Sequence, residues 1–294
     1  MIRARTRPLV RHLLLGCLVV VCGVAAHASA RMLDGATQAR SERPPAERFQ
    51  WAGERVVYDV YLLQAVIARA NIQVGVPRQH ESYGLVYPID ATLRSHGLAG
   101  VVYAMRNEAQ TWVDLTTGQA VYTDKVLDER GRRRRYRVHF FPTEYRAVVD
   151  RTIQDTDRRF RRLVPSQIHD GLSWLVDLRS RPLEVGHQYI YYIYDGWKLS
   201  RLTVRVEAHE FYATPTDVFP AARMAIRREV LESEPLFPWS ESVAPLPPYF
   251  YDAEPGYGVG MGWVTTDEHR IPLAFEIRTT LGLVRMVLSE HHRP

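Results

Sequence analysis

The sequence predicts a mainly β protein: a curved antiparallel sheet, half-barrel or spiral in form, with one amphipathic helix packed on or in it. Three observations carry that prediction. Val-, Ile- and Tyr-rich runs of strand length recur from Val56 onward, several of them alternating apolar with polar residues. Turn signals such as Thr116-Thr117-Gly118, Asp128 to Gly131 and Asp195-Gly196 separate the runs. Only one stretch, Pro165 to Gly186, has helical spacing.

In chain order, residues 1–30 read as a secretory signal peptide. Arg3, Arg5, Arg7 and Arg11 precede an apolar core from Leu13 to Ala26, and Ala28-Ser29-Ala30 forms a small-residue cleavage site. An apolar run of about 14 residues is too short to span a bilayer with ease, so export without an anchor is expected. Both cysteines, Cys17 and Cys22, lie in this segment, so the remaining chain has neither a disulfide nor thiolate chemistry. Gly16-Cys17 is a poor lipidation signal, because most of the apolar run follows it. The same segment holds four arginines and no acid, so removing it lowers the net charge from +5 to +1 (5 − 4). That small excess gives no reason to expect a nucleic-acid partner.

Residues 31–48 are polar and aperiodic, a disordered lead-in to a single domain over 49–290. Strands are expected over Val56–Leu63, Ala70–Val74, Tyr83–Leu93, Val101–Leu115 and Gln119–Leu127. Tyr136, Val138 and Phe140 alternate with Arg137 and His139, the pattern of a sheet with one wet face. Arg132 to Arg135 with Arg137, and Arg158, Arg159, Arg161 and Arg162 downstream, read as solvated hairpin rims. The sharper alternative for them is contact with an anionic envelope surface.

The helix expectation rests on Ile168, Leu172, Leu175, Val176 and Leu178, which fall on one face. Pro165 and Ser166 suit its entry, Pro182 its end and Gly186 its exit, with His169, Ser173 and Asp177 as a polar stripe. Next, Asp195-Gly196 predicts a type I′ hairpin between His187–Tyr194 and Trp197–Val206. A further pair is expected at Glu207–Tyr212 and Ala221–Glu229. Residues 235–260 are rich in proline and aromatics and read as an insertion. Gly262–Thr266, Arg270–Thr280 and Leu283–Leu288 complete the sheet.

Together these pieces resemble a known family, DUF3108, bacterial envelope proteins of unknown function. The resemblance is carried by Ala52-Gly53-Glu54 with Tyr58, by Ser95 to Gly97 with Tyr103 and Asn107, and by Asp170 to Ser173 with Arg179, Pro182-Leu183 and Gly186. Trp263, Asp267, Arg270, Pro272 and Leu273 complete it. Two departures stand out: Arg69 sits where a glycine is expected, and 235–256 is inserted. The resemblance implies a secreted antiparallel β protein without established catalysis, and a fold similar to the curved sheets of lipoprotein carriers.

Catalytic readings are weak. Ser173, His169 and Asp170 or Asp177 are close in sequence, but no Gly-x-Ser-x-Gly elbow supports a hydrolase. No metal or cofactor motif is present; His291-His292 is adjacent rather than spaced, and Gly256 to Gly262 lacks the lysine of a phosphate loop. Asp267 and Arg270 read as a hairpin turn fixed by a charged pair. The expectation is therefore a non-catalytic, exported, periplasmic protein, with outer-membrane association left open. It would bind a lipid-like or envelope-derived ligand on the concave sheet face, lined by Tyr189, Tyr191 and Trp197 and covered by Tyr249 and Tyr251. The alternative is a docking protein that meets an envelope protein partner through the aromatic insertion.

Overall fold

The computed structural model describes residues 51–233, 259–279 and 282–293. Sixteen strands among them form one sheet, antiparallel except where β10 meets β11. They are β1 Arg55–Leu62, β2 Ala65–Val74, β3 Arg78–His80, β4 Gly84–Ser95, β5 Met105–Asp114, β6 Ala120–Glu129, β7 Arg132–Phe141 and β8 Arg146–Ile153. Then come β9 Thr156–Leu163, β10 Ile168–His169, β11 Gln188–Tyr194, β12 Lys198–Ala213, β13 Val218–Ser233, β14 Val259–Thr265, β15 Pro272–Thr279 and β16 Gly282–His292. The spatial order runs β10-β11-β12-β13-β14-β15-β16-β1-β2-β4-β5-β6-β7-β8-β9, with β3 on the flank of β4. The sheet is open, because β9 and β10 end the path without pairing.

Its two ends overlap instead. Val138, Phe140 and Val149 from β7 and β8 pack on Ile168, Tyr194 and Leu199 from β10 to β12, making a second core. Strand β11 is thus covered on both faces. Tyr191 and Ile193 join the main core, while Tyr192 and Tyr194 join the second. A strand buried on both sides needs no polar face, which accounts for the unbroken Tyr-Ile-Tyr-Tyr-Ile-Tyr run. Tyr189 and Tyr191 therefore share one face, and Tyr192 and Tyr194 the other.

The helix expected between the Ser166 cap and the Pro182 stop is shorter. α2 spans Ser173–Arg179, and all seven of its residues are buried. Ile168 and His169, which share its period, are drawn into pairing with Tyr192 and Ile193. Leu172, not Ser166, is the N-cap residue. Trp174 and Leu178 enter the main core, and Val176 enters a third cluster with Trp51, Tyr87 and Ile89. Complete burial of side chains this large is worth about 2–3 kcal/mol each. α2 thus fills the concave face of the sheet instead of covering an empty one.

Four other expectations are corrected. Val101 and Val102 lie in a second helix, α1 Gly97–Val102, ahead of β5. Residues 146–163 form the hairpin β8–β9, hidden in the sequence because exposed Arg158 and Arg159 occupy an edge strand. Trp197–Val206 and Glu207–Tyr212 belong to a single strand, β12, and the apparent break is a β-bulge between Val206 and Ala208. The loop at Asp195-Gly196 is not type I′, since only Gly196 has positive φ, at 85°. Asp195 shapes it instead by accepting the main-chain amides of Trp197 and Lys198 at 2.9 and 2.7 Å.

Candidate functional site

Several of the residues that carry the family resemblance meet around α2, whereas Gly97, Tyr103, Asn107 and Trp263 lie elsewhere on the sheet. Glu54, at the entry of β1, holds Arg179 of α2 in a bidentate pair, with Nη1 at 2.5 Å and Nη2 at 2.9 Å, 125 residues away in sequence. Arg179 also donates to the main-chain carbonyls of Arg270 (2.8 Å) and His269 (3.1 Å), and its guanidinium stacks 4.4 Å from the Trp51 ring centroid. Trp51 in turn donates to the same His269 carbonyl at 3.0 Å. His291 of β16 reaches the second side of Glu54 at 3.0 Å, and the Tyr58 hydroxyl donates to the Pro272 carbonyl at 2.9 Å. Burial pulls the Glu54 carboxyl up, but its hydrogen bonds to His291 and Arg179 and the Arg179 charge outweigh that, holding it at about 2. A planar guanidinium with five donors suits two carbonyls and a carboxylate at once. These side chains clamp α2 to β1 and to the turn before β15.

That turn is built differently from expectation. Asp267 does not fix it through a charged pair with Arg270. Its carboxylate accepts the Thr265 hydroxyl at 2.5 Å and the amides of His269 and Arg270 at 3.1 and 3.2 Å. Arg270, with φ 50°, presents its carbonyl to Arg179. Gly53 and Gly186 occupy positive-φ positions, at 84° and 94°.

The other end of α2 is held by Asp170. One carboxylate oxygen takes the amides of Leu172 (3.1 Å) and Ser173 (2.8 Å), and the other takes the hydroxyls of Thr123 (3.0 Å) and Thr111. Ser173 returns the contact by accepting the Asp170 amide at 3.0 Å, and His169 lies 3.3 Å from its hydroxyl. A nucleophilic triad needs a carboxylate that orients the histidine. Here Asp170 is occupied by the helix end and by β5 and β6, and Ser173 is 0% exposed. The geometry is that of a helix cap.

Of the residues expected to line a ligand site, Tyr189 and Tyr191 share the main-core face of β11, and Trp197 lies beyond the end of that strand. Tyr191 is buried against His169 and Trp174, at ring distances of 5.4 and 6.0 Å. Burial, with the Asp177 charge adding to it, pushes its phenol well above the ordinary range. Tyr189 is half-buried against the main core and donates to the Pro182 carbonyl. Trp197 sits beside Lys198, whose ammonium lies 4.5 Å from its ring. Tyr249 and Tyr251 lie outside the described residues. Lys198 itself is 4% exposed, and burial together with nearby Arg228 lowers its amine to about 8 against the pull of Asp195.

A second group escaped the sequence reading. On the outer face of the sheet, Trp112, Tyr122 and His139 stand side by side on β5, β6 and β7, with ring centroids 5.1 and 5.0 Å apart. Tyr83, from the turn before β4, and His80, at the end of β3, pack on this row. Tyr83 makes a 2.5 Å bond to His139, and Arg78 lies 5.5 Å above the Trp112 ring. All five rings are half-buried. Burial lowers the His139 imidazole, which keeps it neutral and able to share the Tyr83 proton. In sequence the only signal was alternation, since the five residues come from four separate strands and a turn.

Residues 57–289 match the family described as "Protein of unknown function (DUF3108)". No curated protein matches the chain. Among solved structures, the chain is similar to a beta-barrel-like protein of the DUF1849 domain of unknown function from Brucella abortus. The identity is 11%, the match covers 82% of this chain and 97% of that one, and the TM-score is 0.49. It is also similar to a Bacteroides fragilis protein with a YmcC-like fold, at 10% identity, 82% and 96% coverage and a TM-score of 0.31.

Proposed function

We propose, for a chain that belongs to the DUF3108 family, that it is an exported, non-catalytic envelope protein that docks a protein partner. The observation that carries this reading is the half-buried aromatic row Trp112–Tyr122–His139 with Tyr83, His80 and Arg78 on the outer sheet face. Trp, Tyr and Arg are the side chains that dominate binding energy at protein interfaces, because they bury much area at little entropic cost. The row beside it is polar and ordered. Gln110 donates to Asp90 at 2.7 Å, and Arg135 and Arg137 surround Asp124. An apolar centre with a pre-paired polar rim is the anatomy of such an interface.

A lipid-like ligand on the concave face has less support. α2 occupies that face with every residue buried, and its two ends are tied down by Arg179 and Asp170. Export rests on the amino-terminal segment, and among the described residues no helix is long and apolar enough to cross a membrane.

The test places a photo-crosslinking residue at position 112 in the host envelope, with a control at exposed Phe211 near the end of strand β12. A single protein crosslinked from position 112, and lost in a Tyr83→Ala/Tyr122→Ala background, supports docking. No crosslinked protein, with lipid co-purifying instead, sinks this reading in favour of the carrier.

A further inference from the structure

The antiparallel register brings several turns to one rim of the sheet. Leu62 pairs with both Ala65 and Val284, Ala68 with Ser95, Arg94 with Arg106, and Glu129 with both Met105 and Arg132. The β1–β2 turn, the start of β16, helix α1 and the β6–β7 turn therefore stand next to one another at the same end. The side chains there do not follow the rule for turn tips. Leu98 and Val101, three residues apart on α1, are 85% and 84% exposed, and Leu63 in the adjoining turn is 75% exposed. The ring around them is basic. Arg94, Arg106, Arg130, Arg132 and Arg133 are all exposed, and the acids among them are Glu108, which pairs with Arg94 and Arg106, Asp128, and Asp155 and Asp157 of the neighbouring β8–β9 hairpin. At the opposite end the turns mix charge, with Glu81, Asp114, Glu144 and Asp217 alongside Arg78 and Arg146.

We propose that this rim, with Leu63, Leu98 and Val101 as its apolar tips and Arg130, Arg132 and Arg133 as its cationic ring, seats the protein on an anionic phospholipid surface. Apolar side chains left this exposed gain by entering the boundary between headgroups and acyl chains, and flanking arginines reach phosphate groups at the same depth. Each basic residue near an anionic leaflet adds to the attraction, and salt screens it. The rim carries acids as well as arginines, but its exposed charge is mainly positive and its apolar tips project from it, which suits an anionic phospholipid surface. The aromatic row lies on the outer face of β5 to β7, away from this rim, so membrane seating and partner docking can operate together.

The experiment is vesicle flotation of the chain from residue 31, which lacks the amino-terminal apolar segment. Vesicles of phosphatidylcholine are compared with vesicles of phosphatidylcholine plus phosphatidylglycerol. The expected result is binding to the anionic vesicles, lost at high salt, and weakened about tenfold or more by Leu98→Ser/Val101→Ser and by Arg132→Gln/Arg133→Gln. Phe211→Ser, at the opposite end and 79% exposed, leaves binding unchanged. All these side chains are exposed, so the variants keep the fold, and circular dichroism checks it. The proposal is overturned if the wild-type chain does not float with anionic vesicles. It is equally overturned if the Leu98/Val101 variant binds as well as wild type, which would assign the contact to another segment.

Discussion

Replacing Glu54 by glutamine tests the clamp at its centre. Glu54 is 2% exposed, and its carboxyl ionises near 2 in the folded chain against 4.5 ordinarily. At about 1.4 kcal/mol for each tenfold change in proton affinity, that difference of about 2.5 amounts to roughly 3 kcal/mol. Removing the charge also leaves Arg179 buried without its counter-ion, and breaking a buried pair from one side costs about 3–5 kcal/mol. Glu54→Gln is therefore expected to lower stability at pH 7 by about 3 kcal/mol, a large share of a typical domain's margin. Because the folded value is depressed, the contribution is complete above pH 4.5 and drains away as pH falls toward 2. The gap between wild type and variant should shrink to about 1 kcal/mol at roughly pH 2.5. Urea unfolding followed by circular dichroism at both pH values measures it. A gap under about 1 kcal/mol at neutral pH, or one that does not change with pH, refutes the reasoning.

Three further outcomes are expected. Asp170→Ala strands two threonine hydroxyls and two helix amides and should cost about 2–4 kcal/mol in the same assay, whereas Asp170→Asn, which still accepts, should cost less. Gly196→Ala combines a φ of 85° with a Cβ 3.0 Å from Tyr136 and Val138 side-chain atoms, so a loss of about 2 kcal/mol or more in urea unfolding is expected. Lys198 is one of two lysines in the chain, so acetylation rates read by peptide mass spectrometry resolve it cleanly. Its labelling should rise with pH to a midpoint near 8, and a midpoint of an ordinary lysine, about 10.4, would contradict the burial described for it.

The strands were legible wherever a face met water. Tyr136, Val138 and Phe140 alternate because β7 has one dry side, and the pattern alone located it. Sequence failed where that contrast vanished. β9 is an edge strand with exposed arginines on both faces, so no apolar period marked it. α1 left no signal, and its end was joined to the next strand because Val101 is apolar yet exposed, a placement that hydrophobic patterning reads as core. In α2 the period was right but overran, since Ile168 and His169 satisfy it while pairing with β11. Long-range partners were invisible for a different reason. Nothing local ties Glu54 to Arg179, or His139 to Tyr83, and only the folded sheet brings them within bonding distance.

The clamp also bears on where activity should be sought in this chain. Gly53, Glu54, Arg179, Asp267, Arg270 and Pro272 make the chain recognisable, and all of them meet at one end of α2. Asp170 and Ser173 hold the other end. Each spends its hydrogen-bonding capacity on backbone or on another of the same group, which is what a buried polar network requires to be stable. A ligand entering there would have to break bonds worth several kcal/mol before making its own. The recognisable residues thus specify a filled, curved sheet. The proposed partner and membrane contacts fall on residues that the resemblance does not include: Trp112, Tyr122 and His139 of the outer row, and Leu98, Val101 and Arg130 to Arg133 of the rim. Variants that abolish binding without unfolding the chain should therefore map to Trp112, Tyr122, Leu98 and Val101, and substitutions of Glu54, Arg179 or Asp170 should lose binding only in step with stability.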